Sequence, residues 1–142
     1  MKQGFSLLEL LVVVAILMIL GGTGMVVSGM FLNRRSGGEA VRVLRGALRE
    51  AELNSIAAKG GLRWGVRTGG QTITVFAGDS FANRDSAWDE VWHLSRSASV
   101  DSHEIVFKKF SGYPVNGEVS FQLQWSGGER IIKVNPAGGI EE

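Results

Sequence analysis

The chain contains no cysteine. That absence excludes disulfides, thiol catalysis, Cys-bound zinc and iron–sulfur clusters, so any exported domain here must be held together by packing alone. Proline occurs only at Pro114 and Pro136, whereas glycine occurs 20 times, a balance that fits a turn-rich β domain and falls short of a low-complexity chain. Neither sign of charge dominates: Lys and Arg total 15 against 14 Asp and Glu. A near-neutral chain has little of the long-range field that draws proteins to bulk nucleic acid. Charge is missing entirely between Glu9 and Arg34, and that gap organises the rest of the reading.

Within the gap, Leu10 to Leu32 is an apolar run of about 35 Å if helical, enough to cross a hydrocarbon core of about 30 Å with some tilt. A carboxylate beside such a run is costly, on the order of 3 kcal/mol at a helix centre, so Glu9 asks for a partner or a purpose. An ordinary secretory signal does not account for the segment. Its charged start is only Met1-Lys2-Gln3-Gly4, Glu9 offsets Lys2, the apolar run exceeds a usual signal core, and no Ala-x-Ala follows. Gly21, Gly22 and Gly24 lie mid-run and weaken a helix by about 1 kcal/mol each relative to Ala, so a local opening over 18–25 is expected. Gly24 and Ser28 alternatively have the small-xxx-small spacing of close helix packing.

Gly4-Phe5-Ser6-Leu7-Leu8-Glu9-Leu10-Leu11-Val12-Val13-Val14-Ala15-Ile16-Leu17 closely resembles the class III signal of type IV pilins and type II secretion pseudopilins. The resemblance implies cleavage between Gly4 and Phe5 by prepilin peptidase, methylation of the new amine at Phe5, and an assembly salt bridge from Glu9 to a neighbouring subunit's Phe5 amine. At about 4 Å and an effective dielectric near 20, such a pair is worth roughly 4 kcal/mol before desolvation is set against it. It also implies a single pass through the bacterial inner membrane, N-terminus cytoplasmic and C-terminal domain periplasmic or extracellular. Lys2 against Arg34 and Arg35 argues the reverse orientation by the positive-inside tendency, so the peptidase chemistry alone supports that topology.

About 110 residues remain for one soluble domain. Arg34-Arg35-Ser36-Gly37-Gly38 reads as a linker or kink before an amphipathic helix over about 38–59, with Val41, Leu44, Leu48, Ala51 and Ser55 on one stripe and Arg42, Arg45, Arg49, Glu50 and Glu52 mostly off it. Gly60-Gly61 stops that helix. From Leu62 the period changes to two. Leu62 to Phe76 reads as a hairpin, Trp88 to Leu94 as a short strand or irregular segment, and Glu104 to Phe110 as a strand; Val119 to Trp125 is the clearest strand and Arg130 to Asn135 its partner, with Pro136 ending the sheet near 135. The expected division is thus a leader over 1–4, a membrane and assembly helix over 5–32, and a globular domain over 36–142. Its fold class is α+β, a long N-terminal helix packed on one small antiparallel sheet. This is also the pilin layout. The helix, short strands and Ile131-Ile132-Lys133-Val134-Asn135-Pro136 ending look like the H-type minor pseudopilins and their FimT-like relatives among type IV minor pilins.

The remaining polar residues suggest no chemistry. His93 and His103 stand ten apart without a third ligand, the spacing of Asp79, Asn83, Asp85 and Asp89 is not that of an EF-hand, and no nucleophile motif frames the Ser, His and Asp residues. No cofactor, metal or catalytic residue is expected. Trp64, Trp88, Trp92 and Trp125 are expected to build the core. Lys108, Lys109, Arg130 and Lys133 form a basic strip if neighbouring strands bring them together, which keeps open a DNA-binding minor pilin of an uptake system, as some FimT-like relatives bind DNA. The partners expected are other pilin subunits through the N-terminal helix, the peptidase and the inner membrane.

Overall fold

The computed structural model describes the backbone from Leu7 to Glu142, and the side chains of residues 7–20 and 36–142. The chain divides into two compact units, Met1–Leu32 and Asn33–Glu142. In the first unit the described residues form the beginning of helix α1 (Leu7–Ile56), whose backbone is unbroken through 18–25 despite the three glycines. Among the described residues no helix is long and apolar enough to cross a membrane. The expected span runs into residues 21–35, whose side chains lie outside the described set, and so does the Gly24–Ser28 packing face.

The second unit starts within α1. Gly37, Ala40, Val41, Leu44, Ala47, Leu48, Ala51 and Ser55 are buried at steps of three and four, so the stripe expected from the sequence is the face that packs. The expected kink at residues 34–38 does not form, since α1 continues through it. Gly37 has a packing role: a Cβ there would lie 2.3 Å from the Trp125 ring, so the glycine lets the helix backbone rest directly against that indole. After Ile56 the chain makes a 3-10 turn at Lys59–Gly61, with Gly60 and Gly61 at φ +67° and +72°, a left-handed path that glycine takes without strain.

Eight strands follow: β1 (Trp64–Gly69), β2 (Thr72–Ala77), β3 (Asp85–His93), β4 (Ala98–Val100), β5 (Glu104–Phe107), β6 (Val119–Trp125), β7 (Gly128–Val134) and β8 (Ile140–Glu141). All named pairings are antiparallel, so the α+β class stands. The single expected sheet is instead two, in the orders β3-β2-β1-β5 and β4-β6-β7-β8. The first sheet is buried on both faces at β2, where Ile73 to Ala77 are all covered, because Phe76 faces Gly65 and meets Phe81 edge-on. The second keeps one wet face, as the alternation in β6 and β7 requires.

Several strands depart from the expected boundaries, β5 among them, which stops at Phe107 short of the expected Phe110. β3 is nine residues long, and the β4 segment was not foreseen. Pro136 does not end the sheet. Asn135 Oδ1 accepts hydrogen bonds from the Ala137 and Gly139 amides, closing a tight turn that returns the chain as β8. Of the four tryptophans only Trp64 is buried at 3 %; Trp88 and Trp92 are 40 % and 39 % exposed, and Trp125 is half-buried against Gly37.

One core joins α1 to both sheets, running from Leu44 and Leu48 through Val66, Ile73 and Phe107 to Phe121, Leu123 and Ile132. A buried hydroxyl ties the helix end to the first sheet. Ser55 Oγ accepts from the Trp64 amide at 2.8 Å and lies 3.2 Å from the Phe107 carbonyl oxygen, to which it donates. The Ser55 carbonyl also accepts from the Phe110 amide. Glu52, off the stripe by sequence, is nonetheless 8 % exposed; Gly112 and Gly138 lie against it, and Arg49 pairs with it at 2.7 Å.

Three outcomes follow for thermal unfolding of the full chain in detergent. Gly37→Ala lowers the midpoint because Trp125 must give way, whereas Gly38→Ala, where a Cβ meets nothing within 4 Å, raises stability by about 1 kcal/mol. Ser55→Ala strands the Trp64 amide and costs about 1–3 kcal/mol, a fall of roughly 5 °C or more.

Candidate functional site

Gly4 and Phe5 lie outside the described residues. Glu9 is described: it is exposed in the first turn of α1, where the helix dipole favours a carboxylate. Around it the helix is apolar on every side. Leu7 and Leu8 are 82 % and 72 % exposed, and Leu10, Leu11, Ile16, Leu17, Met18, Ile19 and Leu20 are at least half exposed. A helix apolar all round is suited to lipid or to other helices and unsuited to water.

His103 Nε2 lies 2.9 Å from Asp101, and no group of three or more His, Asp or Glu able to hold a metal occurs among the described residues. The 79–89 acids face cations: Asp79 meets Arg63 at 3.2 Å, and Asp89 receives the Arg84 Nε at 2.7 Å. Asp85 Oδ1 accepts from the Ala87 amide. The four cations of the expected basic strip are divided. Lys108 and Lys109 follow β5 of the first sheet, Lys109 donating to the Gly61 carbonyl, whereas Arg130 and Lys133 lie on β7 of the second. Arg130 already meets Glu142 at 2.9 Å.

Two surface arrangements escaped the sequence reading because they need tertiary partners. In the first, Arg42, Arg45 and Arg49 project from the exposed side of α1 and with Gly46 and Ile140 line a hollow of about 490 Å³. Helical spacing could have located this stripe; the neighbouring β8 could not have been placed from sequence. In the second, β3 carries Trp92 over a hollow of about 310 Å³ lined by Val43, Gly46 and Ala47 of α1. Further along, Glu50 of α1 meets Glu90 of β3. Partial burial, then a hydrogen bond and like charge from Glu90, raise the Glu50 carboxyl above its ordinary range, against the opposing pull of Lys59.

Residues 1–25 match the family model described as the prokaryotic N-terminal methylation motif. That match, the signal of type IV prepilins, supports the type IV pilin and pseudopilin superfamily. Neither the curated proteins nor the solved structures contain a match to the chain.

The Glu50 pair makes stability depend on pH in a defined direction. A carboxyl whose folded pKa is raised favours the fold below its unfolded value near 4.3, and that contribution is lost as pH rises through the folded pKa. Glu50→Gln is therefore expected to raise the unfolding midpoint at pH 7.5 and to bring little gain at pH 4. Equal gains at both values would remove the raised Glu50 carboxyl from the account.

Proposed function

We propose that this chain is a minor pilin or pseudopilin, cleaved by prepilin peptidase after Gly4, methylated at Phe5, held in the inner membrane by its N-terminal helix, and assembled into a type II secretion pseudopilus or a type IV pilus. The reading extends to the H-type and FimT-like group on the strength of the helix, short strands and Asn135-Pro136 ending. Its role is structural, with no catalytic step. The observation that carries the proposal is the junction itself: a methylation motif over residues 1–25 leading into a helix whose described apolar residues are exposed on all sides around one carboxylate.

The physical logic runs from that carboxylate. Cleavage leaves a cationic amine at Phe5, and methylation keeps its charge. In a bundle of such helices the amine of one subunit offsets the Glu9 of another, and each makes the other's burial tolerable. Outside the bundle Glu9 stays near the headgroups, at the cytoplasmic end of the helix. The DNA-uptake alternative draws no support from the placement of Lys108, Lys109, Arg130 and Lys133 on separate sheets.

Mass spectrometry of the protein from its own membrane is expected to find a methylated Phe5 as the first residue. An N-terminus at Met1, or one beyond residue 28, overturns the proposal. Gly4→Asp is expected to block cleavage. Glu9→Ala leaves cleavage and membrane insertion intact, while recovery in filaments falls by roughly 100-fold, because removing one partner of a buried pair costs ~3 kcal/mol or more. Normal assembly of Glu9→Ala would show the carboxylate to be incidental.

A further inference from the structure

The exposed side of α1 in the globular unit carries two local costs that the fold does not explain. Arg42, Arg45 and Arg49 stand three and four residues apart with the same charge, a spacing at which like charges destabilise a helix. Between them Gly46 weakens the helix further, and a Cβ there would meet nothing within 4 Å, so packing in the subunit does not require it. Together they border a hollow of about 490 Å³ whose other wall is the half-buried Ile140 of β8.

One end of this face already holds a carboxylate. Glu142 reaches Arg45 with Oε1 at 2.7 Å and Arg130 with Oε2 at 2.9 Å. Arg49 offsets Glu52, and among the described residues no carboxylate is paired with Arg42. Counting Glu39, which borders the adjoining hollow with Arg42 and Gly46, the face gathers four arginines against three glutamates in a chain that is otherwise balanced. Its apolar parts, Ile140, the space above Gly46 and the arginine stems, suit a peptide carrying an aliphatic residue among its acids. A hydrated phosphate backbone would leave them unused.

We infer that the Arg42, Arg45 and Arg49 face of α1, with Arg130 and Ile140, is a docking groove for an acidic segment of a neighbouring subunit, and that Glu142 occupies one end of it as an internal competitor. The identity of the occupant as a subunit rests on the assembly reading; the groove's preference for a carboxylate-bearing peptide does not. Release of Glu142 exposes Arg45 and Arg130 together, so the incoming acid exchanges one carboxylate for another, and the apolar contact decides the balance.

The test uses the full chain in non-ionic detergent and a fluorescein-labelled helical peptide carrying Glu at positions i, i+4 and i+7 beside one Leu, followed by anisotropy. Binding is expected at about 50 mM salt and is expected to weaken at about 300 mM. Arg42→Glu weakens it about tenfold; Arg42 is chosen because Arg49 supports the buried Glu52 and Arg45 holds Glu142. Glu142→Gln tightens it about threefold by removing the competitor. The same peptide with Gln for Glu is expected not to bind. No binding by both the native chain and Glu142→Gln at low salt overturns the inference, as does equal binding of the Gln peptide. Tighter binding of duplex DNA than of the acidic peptide reassigns the groove to nucleic acid and equally overturns it. If Arg42→Glu lowers the unfolding midpoint, the Glu142→Gln response still decides. A chain with a methylated Phe5 that ignores the peptide defeats this inference alone, whereas an unprocessed chain that binds it defeats the assembly reading alone.

Discussion

Both sheets of the globular unit depend on one strip of helix surface. From Gly37 to Ser55 the buried side of α1 supplies the residues that the two sheets share: its beginning rests on Trp125 of the second sheet, and its end is hydrogen-bonded to β1 and β5 of the first. Four-stranded sheets with strands of two to nine residues have little area to bury on their own. A helix stripe that reaches into both turns two marginal sheets into a single core without any disulfide. The polar exception in that stripe, Ser55, serves the same end, since a buried hydroxyl is tolerable only where backbone groups answer it.

The opposite side of the same helix is under a different constraint. Arg42, Arg45 and Gly46 are exposed there, and the edge strand β3 leaves Trp88, Val91 and Trp92 partly exposed. These features weaken the isolated subunit a little and give it a directional surface. The Glu50 and Glu90 contact adds a proton-dependent link between the helix and that edge strand. A subunit whose buried helix face builds the domain and whose exposed face stays open is well suited to life among neighbours.

In the N-terminal unit the described apolar residues around Glu9 are exposed, a surface suited to lipid or to other helices. Residues 1–25 of the same unit carry the methylation motif that supports the type IV pilin superfamily. Glu9 lies in the first described turn of this helix, exposed among apolar neighbours.

Much of this was legible from residue order because periodicity and local chemistry carry it. The stripe of Val41, Leu44, Leu48, Ala51 and Ser55, the hairpin of β1 and β2 and the alternation in β6 each follow from spacing within a short window. Contacts across long separations were not legible. Gly37 read as part of a linker or kink because its partner, Trp125, is 88 positions away; Pro136 read as a stop because the turn that Asn135 closes behind it depends on a strand still to come. The sheet split in two, and Trp88 and Trp92 stayed at the surface, because burial is allotted by what lies opposite a side chain, which pattern along the chain does not specify. The sequence by itself determined that this protein has an apolar N-terminal segment and an α+β domain without disulfides. Only the tertiary structure decided which helix face is covered, and that the carboxylate of Glu142 is seated between Arg45 and Arg130, because these pairings exist only once β7 and β8 fold back beside α1.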